Sequence, residues 1–149
     1  MRKCLACKLN RNPSLVPGGR ITESKYWIVE PCLGPYGEGT LVIKTRKHKE
    51  QFSECTRAEL LEFAQLLKRT HQALEITLRP ENIYISKWGE ETKHLHILVQ
   101  PIFRTTKQRF KAKGPALQSE MVKRGKISNP EKIRKIAKKL KTWFTEKHR

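Results

Sequence analysis

Two histidines that lie two residues apart, His94 and His96, are the residues of this sequence best placed to do chemistry. They stand in an apolar run, residues 94–100, which predicts a β-strand with both imidazoles on one face beside Leu98 and Gln100. Neighbouring imidazoles suit either a metal ligand beside a nucleophile or two ligands of one metal. A pair of surface histidines on a half-exposed strand has the same pattern, so this motif alone leaves the function open.

A second group of reactive residues is the C-x-x-C pair of Cys4 and Cys7. Redox pairs usually follow a strand and open a helix, and no strand is predicted here, so a metal site is favoured. His48 lies in a basic loop, where a lone histidine is more often a surface residue. Together with His94, however, these residues provide two sulfurs and two nitrogens, the ligand set of a closed tetrahedral zinc. We therefore expect a structural zinc that attaches the N-terminus to two strands.

The elements that position these residues are predicted to be strands around one long helix. A Thr56-x-x-Glu59 capping box followed by apolar residues at helical spacing predicts a helix over residues 57–78. Turn residues at 10–20 predict a loop, and Pro and Gly residues at 31–39 predict the connection of a hairpin. The strands are predicted at residues 26–29, 40–45, 82–88 and 94–100.

Taken together, three motifs resemble the histidine triad superfamily, in particular its zinc-bearing branch of dinucleoside polyphosphate hydrolases. The motifs are the Cys4/Cys7 pair, LVIKTRKH at 41–48 and HLHILVQP at 94–101, in the family's order. The family's signature strand reads H-φ-H-φ-H-φ-φ and is often followed by proline. The resemblance covers residues 4–103 and implies an α+β fold, with an antiparallel sheet, a flanking helix and assembly as a homodimer. We therefore expect a histidine-triad-like domain over residues 1–103.

The resemblance also implies an activity, that of a nucleotide hydrolase or nucleotidyltransferase. His96, the second signature histidine, would attack the α-phosphate of a dinucleoside polyphosphate or related nucleotidyl donor. A covalent nucleotidyl-histidine would form, and water or another acceptor would resolve it. In zinc-bearing members the metal is held at positions that correspond to Cys4, Cys7, His48 and His94. The chemistry of imidazole agrees, because its neutral form is a good nucleophile near neutral pH.

The sequence departs from the family pattern at two places. Leu98 stands where the third signature histidine is expected, and residues 87–93 lack the Gln-Ser/Thr pair that commonly contacts the phosphate and the leaving group. We expect Thr92, Lys93 and Gln100 to bind substrate instead. Because a leucine side chain cannot donate a hydrogen bond to a phosphate, we also expect slow turnover.

The positive charge, +18 in total, is concentrated in residues 104–149, which hold 16 Lys and Arg and three acidic residues. We expect this segment to be a basic C-terminal extension, with a loop and short turns at 104–126. Asn129-Pro130 predicts the start of an amphipathic helix over residues 129–147, whose apolar stripe would pack on the domain or on a second subunit. Basic segments attract polyanions, so the alternative function is a zinc-stabilised nucleic-acid-binding protein. A solubilising charged face would have the same composition.

The chain of 149 residues, of which 37% are hydrophobic, is expected to form one core of ordinary size. No window approaches the run of roughly 20 apolar residues that spans a bilayer. The first residues lack the apolar stretch of a secretory signal. We therefore expect a soluble, cytoplasmic protein with a nucleotide as its substrate and no membrane partner.

Overall fold

The structure, a computed structural model, describes residues 4–146 and is built around one five-stranded antiparallel sheet with the strand order β1-β2-β3-β5-β4. The strands are β1 (Thr22–Glu23), β2 (Trp27–Pro31), β3 (Leu41–Thr45), β4 (Asn82–Ser86) and β5 (His96–Ile102). The helices of this part of the chain are α1 (Leu5–Arg11), α2 (Arg57–Leu78), α3 (Arg104–Phe110), α4 (Gly114–Arg124) and α5 (Pro130–Glu146). The predicted α+β fold class is confirmed.

Helix α2 has the bounds that the sequence predicts, because its capping box forms. The Thr56 hydroxyl accepts a hydrogen bond from the Glu59 amide, and the Glu59 carboxylate accepts one from the Thr56 amide. The helix ends at Leu78, and its C-cap residue Arg79 adopts a left-handed conformation directly before Pro80. Neither α2 nor any other helix within residues 4–146 combines the length and apolarity needed to cross a membrane.

The main core lies between α2, α5 and one face of the sheet. Alternate residues of the paired strands point to this face, so that Val29, Ile43 and Ile97 lie side by side in the register. The Trp27 ring is fully buried against Phe63 of α2, and its indole nitrogen donates to the Glu59 carbonyl oxygen at 2.8 Å. The predicted inward face of β5 is therefore confirmed.

The ends of two strands differ from the prediction. Strand β4 ends at Ser86, and β5 begins at His96 and continues to Ile102. Before His96 the chain leaves the ladder, because the Leu95 amide donates to the Lys49 carbonyl oxygen beyond the end of β3. This places His94 next to the connection that follows β3.

The prediction of a loop at 104–126 is wrong, because this segment forms α3 and α4. The apolar residues that α4 buries beside Ile102 are Leu117 and Met121. Two apolar residues are too few to form a recognisable helical periodicity in the sequence. The residues at the two ends of α4 could have indicated this helix from the sequence. They are a proline in its first turn and Gly125 at its C-cap, where φ is +60°. Helix α1 and the short 3₁₀ helix Pro13–Leu15 likewise occupy part of the predicted N-terminal loop.

Helix α5 starts as predicted, with the Asn129 side chain accepting a hydrogen bond from the Glu131 amide. Its apolar stripe is buried on the same chain, and Ala137, Leu140 and Phe144 join the main core. The predicted last residue of this helix, Lys147, lies outside the described residues. Close packing of α5 explains why residue 18 is a glycine, since a Cβ atom there would lie 2.5 Å from the Ala137 Cβ atom. The basic extension is thus attached to the sheet through its apolar face.

We predict that Leu140→Ala lowers the free energy of unfolding by about 2–5 kcal/mol, because it opens a cavity in the main core. The exposed neighbour Lys139→Ala is the matched control and is expected to change stability by less than about 0.5 kcal/mol. Urea denaturation of both variants and the parent measures the difference. Equal stabilities of the two variants would show that α5 does not pack as described.

Candidate metal site and adjoining cavity

The four residues predicted to hold a metal lie together at one end of the sheet. The ligand atoms of Cys4, Cys7, His48 and His94 lie within 4.8 Å of one another. The His94 Nδ1 atom is 3.5 Å from both sulfurs, and the His48 Nδ1 atom is 3.4 Å from the Cys7 sulfur. A tetrahedral zinc with bonds of ~2.3 Å to sulfur and ~2.0–2.1 Å to nitrogen has sulfur–nitrogen edges of about 3.6 Å. The donor set and its dimensions therefore fit a metal ion.

Three of the four candidate ligands are oriented by a contact with a neighbouring group of the chain. Cys4 is the N-cap of α1, where its sulfur accepts a hydrogen bond from the Cys7 amide at 3.4 Å. His94 donates from Nε2 to the Thr45 carbonyl oxygen at 2.9 Å, which leaves the Nδ1 lone pair directed at the sulfurs. The His48 Nε2 atom lies 3.7 Å from the Glu50 carboxylate on its far side. Such outer contacts fix the ring orientation of metal-binding histidines.

Burial favours the uncharged forms of two residues in the cluster. Burial lowers the pKa of His94, although its hydrogen bond to Thr45 opposes this, so the neutral metal-binding form is favoured. Burial also raises the pKa of the Cys7 thiol, and the neighbouring Cys4 raises it further. A divalent cation between the sulfurs would reverse that preference and stabilise thiolates.

His96 is the first residue of β5 and points to the opposite side of the sheet from the main core. Its Nδ1 atom donates to the carbonyl oxygen of His94 at 2.5 Å, which places the lone pair on Nε2. The ring is half-buried and lines a cavity of about 660 Å³. An imidazole held in this tautomer presents a nucleophilic nitrogen to whatever occupies the cavity.

The cavity has the β2-β3-β5 face as its floor and is bordered by four further segments of the chain. These segments are helix α1, the loop at 33–36, the loop at 88–92 and helix α4. Its apolar lining includes Leu5, Leu9, Val42, Trp88, Leu98 and Val122, and its polar lining includes Thr92, Ser119 and Lys123. Sequence reasoning did not anticipate the α1 and α4 walls, because neither helix was predicted.

The three predicted substrate-binding residues have different positions relative to the cavity. Thr92 lines the cavity beside His96, whereas Lys93 and Gln100 are not among its lining residues. Gln100 is fully buried; its amide nitrogen donates to the Tyr36 carbonyl oxygen and its amide oxygen accepts from Gln118, both at 2.8 Å. The Gln100 amide is therefore used to join the loop at 33–36 and α4 to the floor of the cavity.

The residues that sequence reasoning missed are Glu30 and Lys44, which form a buried ion pair in the cavity wall. Their side chains are only 3% and 2% exposed. The Glu30 Oε1 atom accepts a hydrogen bond from the Lys44 ammonium, while Oε2 is buried with no hydrogen-bond partner within residues 4–146. Burial lowers the pKa of Lys44, and the interaction with Glu30 opposes this. The sequence feature that could have identified this pair is the single charged residue within each of the apolar strands WIVEP and LVIKT.

No protein-family model matches the sequence, and neither does any curated protein. The structure does match solved structures. A Hit-like protein from Bartonella henselae has a TM-score of 0.72 at 17% identity, with 96% of this chain and 97% of that chain covered. A zinc-bound histidine triad family protein from Mycobacterium smegmatis has a TM-score of 0.60 at 17% identity, with 95% and 97% covered.

A third match is the Plasmodium falciparum diadenosine triphosphate hydrolase, solved in complex with cyclomarin A. It has a TM-score of 0.63 at 16% identity, with 86% of this chain and 77% of that chain covered. Identities this low establish the fold alone. The chain therefore has the fold of the histidine triad proteins, and the predicted resemblance is confirmed at that level.

We predict about one metal ion per chain in the parent and its loss in Cys7→Ser, because a hydroxyl replaces a thiolate ligand. The melting temperature should fall as the metal is lost. Cys55→Ser is the matched control, since Cys55 is half-buried outside the cluster and should leave the metal in place. Elemental analysis and thermal melts measure both effects. A parent purified without chelator and free of metal would contradict the prediction.

Proposed function

We propose that the protein is a nucleotide hydrolase or nucleotidyltransferase that attacks the α-phosphate of its substrate with His96. One observation carries the proposal: His96 has its Nδ1 proton committed to the His94 carbonyl oxygen and lines the large cavity. The likeness to a diadenosine triphosphate hydrolase supports a dinucleoside polyphosphate or related nucleotidyl donor as the substrate.

The size of the cavity and part of its lining support a nucleotide as the ligand. Its volume of about 660 Å³ lies within the usual range of ligand pockets, about 300–1,000 Å³. The apolar side chains of α1 and α4 suit a base, and Thr92 and Lys123 offer a hydroxyl and an ammonium group to phosphate oxygens. We propose that Thr92 and Lys123 take part of the role for which Lys93 and Gln100 were predicted.

The chemistry follows from the tautomer of His96. The Nε2 lone pair attacks the α-phosphorus, a P–N bond forms, and the bond to the leaving-group oxygen breaks with the electron pair going to that oxygen. The imidazole becomes cationic in this step, and its Nδ1 hydrogen bond to the His94 carbonyl oxygen stabilises that charge. Water or another acceptor then attacks phosphorus, loses a proton, and returns the electron pair of the P–N bond to Nε2.

The proposed metal is zinc, and its role is structural. Zinc on Cys4, Cys7, His48 and His94 would attach α1 to the start of β5 and so fix the backbone that presents His96. The zinc-bound Mycobacterium smegmatis structure supports this choice of metal. When bound, the ion would supply folding free energy and leave the reacting phosphate to the residues of the cavity.

Two further properties belong to the proposal. Leu98 adds an apolar side chain to the cavity where the family pattern has a phosphate contact, so we expect slow turnover. A homodimer remains a prediction. It is supported by β4, an edge strand on which the Ile85 side chain is exposed.

A second candidate function, nucleic-acid binding through the basic extension, rests on the orientation of α5. Because the apolar face of α5 is buried, its cations are held on the opposite, solvent-facing side of the helix. Within residues 4–146, four exposed cations of α5 have no ion-pair partner: Lys132, Lys135, Lys138 and Lys139. A fixed row of unpaired ammonium groups suits a phosphate backbone.

For the enzymatic function we predict that His96→Ala abolishes nucleotide release from the best substrate of a dinucleoside polyphosphate panel. The metal content and melting temperature should stay close to those of the parent, since His96 is not among the clustered ligands. His71→Ala, which removes an imidazole from the surface of α2, is the matched control and should retain full activity. Intact-mass analysis of the parent should show a nucleotidyl adduct that His96→Ala lacks. Substantial activity in His96→Ala would overturn the assignment of the nucleophile.

For the second function we predict that replacing Lys135, Lys138 and Lys139 with Gln weakens binding of a single-stranded oligonucleotide. The slope of log K against log salt should become shallower by about 2, as expected at roughly 0.7 per lost phosphate contact. The matched control replaces three exposed lysines elsewhere, Lys8, Lys25 and Lys68, and so removes the same charge. Fluorescence anisotropy across a salt series measures both. Equal losses in the two variants would mean that net charge, rather than this face, attracts the nucleic acid.

A further inference from the structure

Helix α4 borders the cavity, yet few apolar side chains attach it to the rest of the fold. The helix contributes several residues to the cavity lining, namely Pro115, Gln118, Ser119, Val122 and Lys123. The apolar side chains that it buries are Leu117 and Met121. Helix α5, in contrast, buries an apolar stripe of four residues. Because buried apolar area is the main source of stability, α4 is the less firmly attached of these two helices.

The polar attachment of α4 lies on β5 and on the edge strand β4. The Gln118 Nε2 atom donates to the Gln100 Oε1 atom at 2.8 Å and to the Ser86 Oγ atom at 3.0 Å. At the start of the helix the Gly114 amide donates to the Tyr84 hydroxyl at 2.8 Å. Tyr84 is the register partner of Gln100, so both ends of this attachment use one part of the β4-β5 ladder. Gln118 is the side chain that joins the middle of α4 to both strands.

An attachment of this kind is easily exchanged for hydrogen bonds to water. A neutral hydrogen bond contributes little net stability, because water replaces the partner when the bond breaks. Since Gln118 lines the cavity, water there would hydrate the groups that separate when α4 moves away. Outward movement of α4 therefore costs much less than outward movement of α5, which would expose an apolar stripe to water.

Glycines with positive φ stand at both ends of α4. Gly114 and Gly125 have φ of +59° and +60°, in the left-handed region that glycine enters without strain. A Cβ atom at Gly114 would find no atom within 4 Å among the described residues outside its own stretch of chain. Close packing therefore does not account for this glycine. Residues at the ends of an element that absorb changes in φ and ψ are what a hinge requires.

From these observations we infer that α4 is a hinged lid of the cavity and that Gln118 is the positioning residue that holds the lid closed. Opening breaks the hydrogen bonds from Gln118 to Gln100 and Ser86 and moves the lining residues of α4 away from the floor of the cavity. A ligand enters in the open state and is enclosed when the hydrogen bonds form again. The lid goes beyond the proposed function, because its opening does not depend on the identity of the ligand.

Hydrogen exchange of the full chain, purified without chelator and followed by mass spectrometry, tests the lid directly. In the parent, the amides of α4 should exchange at least about tenfold faster than those of β5 and α5, because α4 opens without global unfolding. Gln118→Met keeps the length of the side chain and removes both of its hydrogen bonds. This variant should speed exchange in α4 by roughly 5- to 100-fold and leave β5 and α5 within about twofold of the parent.

Two further variants make the test specific. Gln108→Met is the matched control, because Gln108 is an exposed residue of α3, and it should leave exchange in α4 unchanged. Ser86→Ala removes only one of the two acceptors of Gln118 and should speed exchange in α4 by about 2- to 10-fold. If Gln118→Met does not fold, the comparison of Ser86→Ala with the parent decides.

Adenosine 5′-monophosphate is the probe for closure of the lid. At a saturating concentration it should slow exchange in α4 of the parent by at least about tenfold, because the bound ligand favours the closed state. Dissociation of this probe should be faster from Gln118→Met than from Gln108→Met, since the lid of the first variant opens more often.

The outcomes separate the lid from a purely structural role of Gln118. Equal exchange of α4 and β5 in the parent, or a uniform rise over the whole chain in Gln118→Met, would overturn the lid. So would a bound probe that leaves exchange in α4 unchanged. Failure of adenosine 5′-monophosphate to bind would count against the proposed nucleotide function, whereas exchange in Gln118→Met and Gln108→Met would still decide whether α4 opens.

Discussion

The antiparallel pairing of β3 with β5 is the constraint on which the rest of the site depends. Its register sets Lys44 opposite His96 and Val42 opposite Leu98. At the end of the ladder the chain turns out of the sheet, and the Thr45 carbonyl oxygen accepts a hydrogen bond from His94. A shift of one residue would exchange the two faces of β5 and bury His96 in the main core. The positions of the proposed metal ligand His94, the proposed nucleophile His96 and the cavity floor therefore all depend on this register.

The two faces of the sheet are used in different ways. The face under α2 and α5 is packed with apolar side chains and supplies most of the hydrophobic stabilisation. The other face is covered incompletely by α1, the loop at 33–36 and α4, which leaves the cavity. Buried polar groups hold these covering segments in place, with Gln100 bonded to both the loop and α4. Hydrogen bonds on this face thus position elements that have little apolar area to bury.

Metal binding and catalysis would be coupled through the backbone in this arrangement. His94 faces the cysteines, and its carbonyl oxygen accepts the hydrogen bond that sets the tautomer of His96. Fixing His94 therefore fixes the direction of the His96 ring without placing a metal ligand in the cavity. This connection gives a physical reason why the proposed structural metal would lie two residues from the proposed nucleophile.

The sequence by itself determined the elements with strong local signals: α2 from its capping box, the inward face of β5 from alternation, and the start of α5 from Asn129-Pro130. It also indicated the four clustered ligands, because cysteine and histidine have few other uses in that combination. Only the tertiary structure decided that 104–126 is helical, that Gln100 is buried, and that Glu30 meets Lys44. These features depend on contacts between segments distant in the chain, for which no local period or spacing carries a signal.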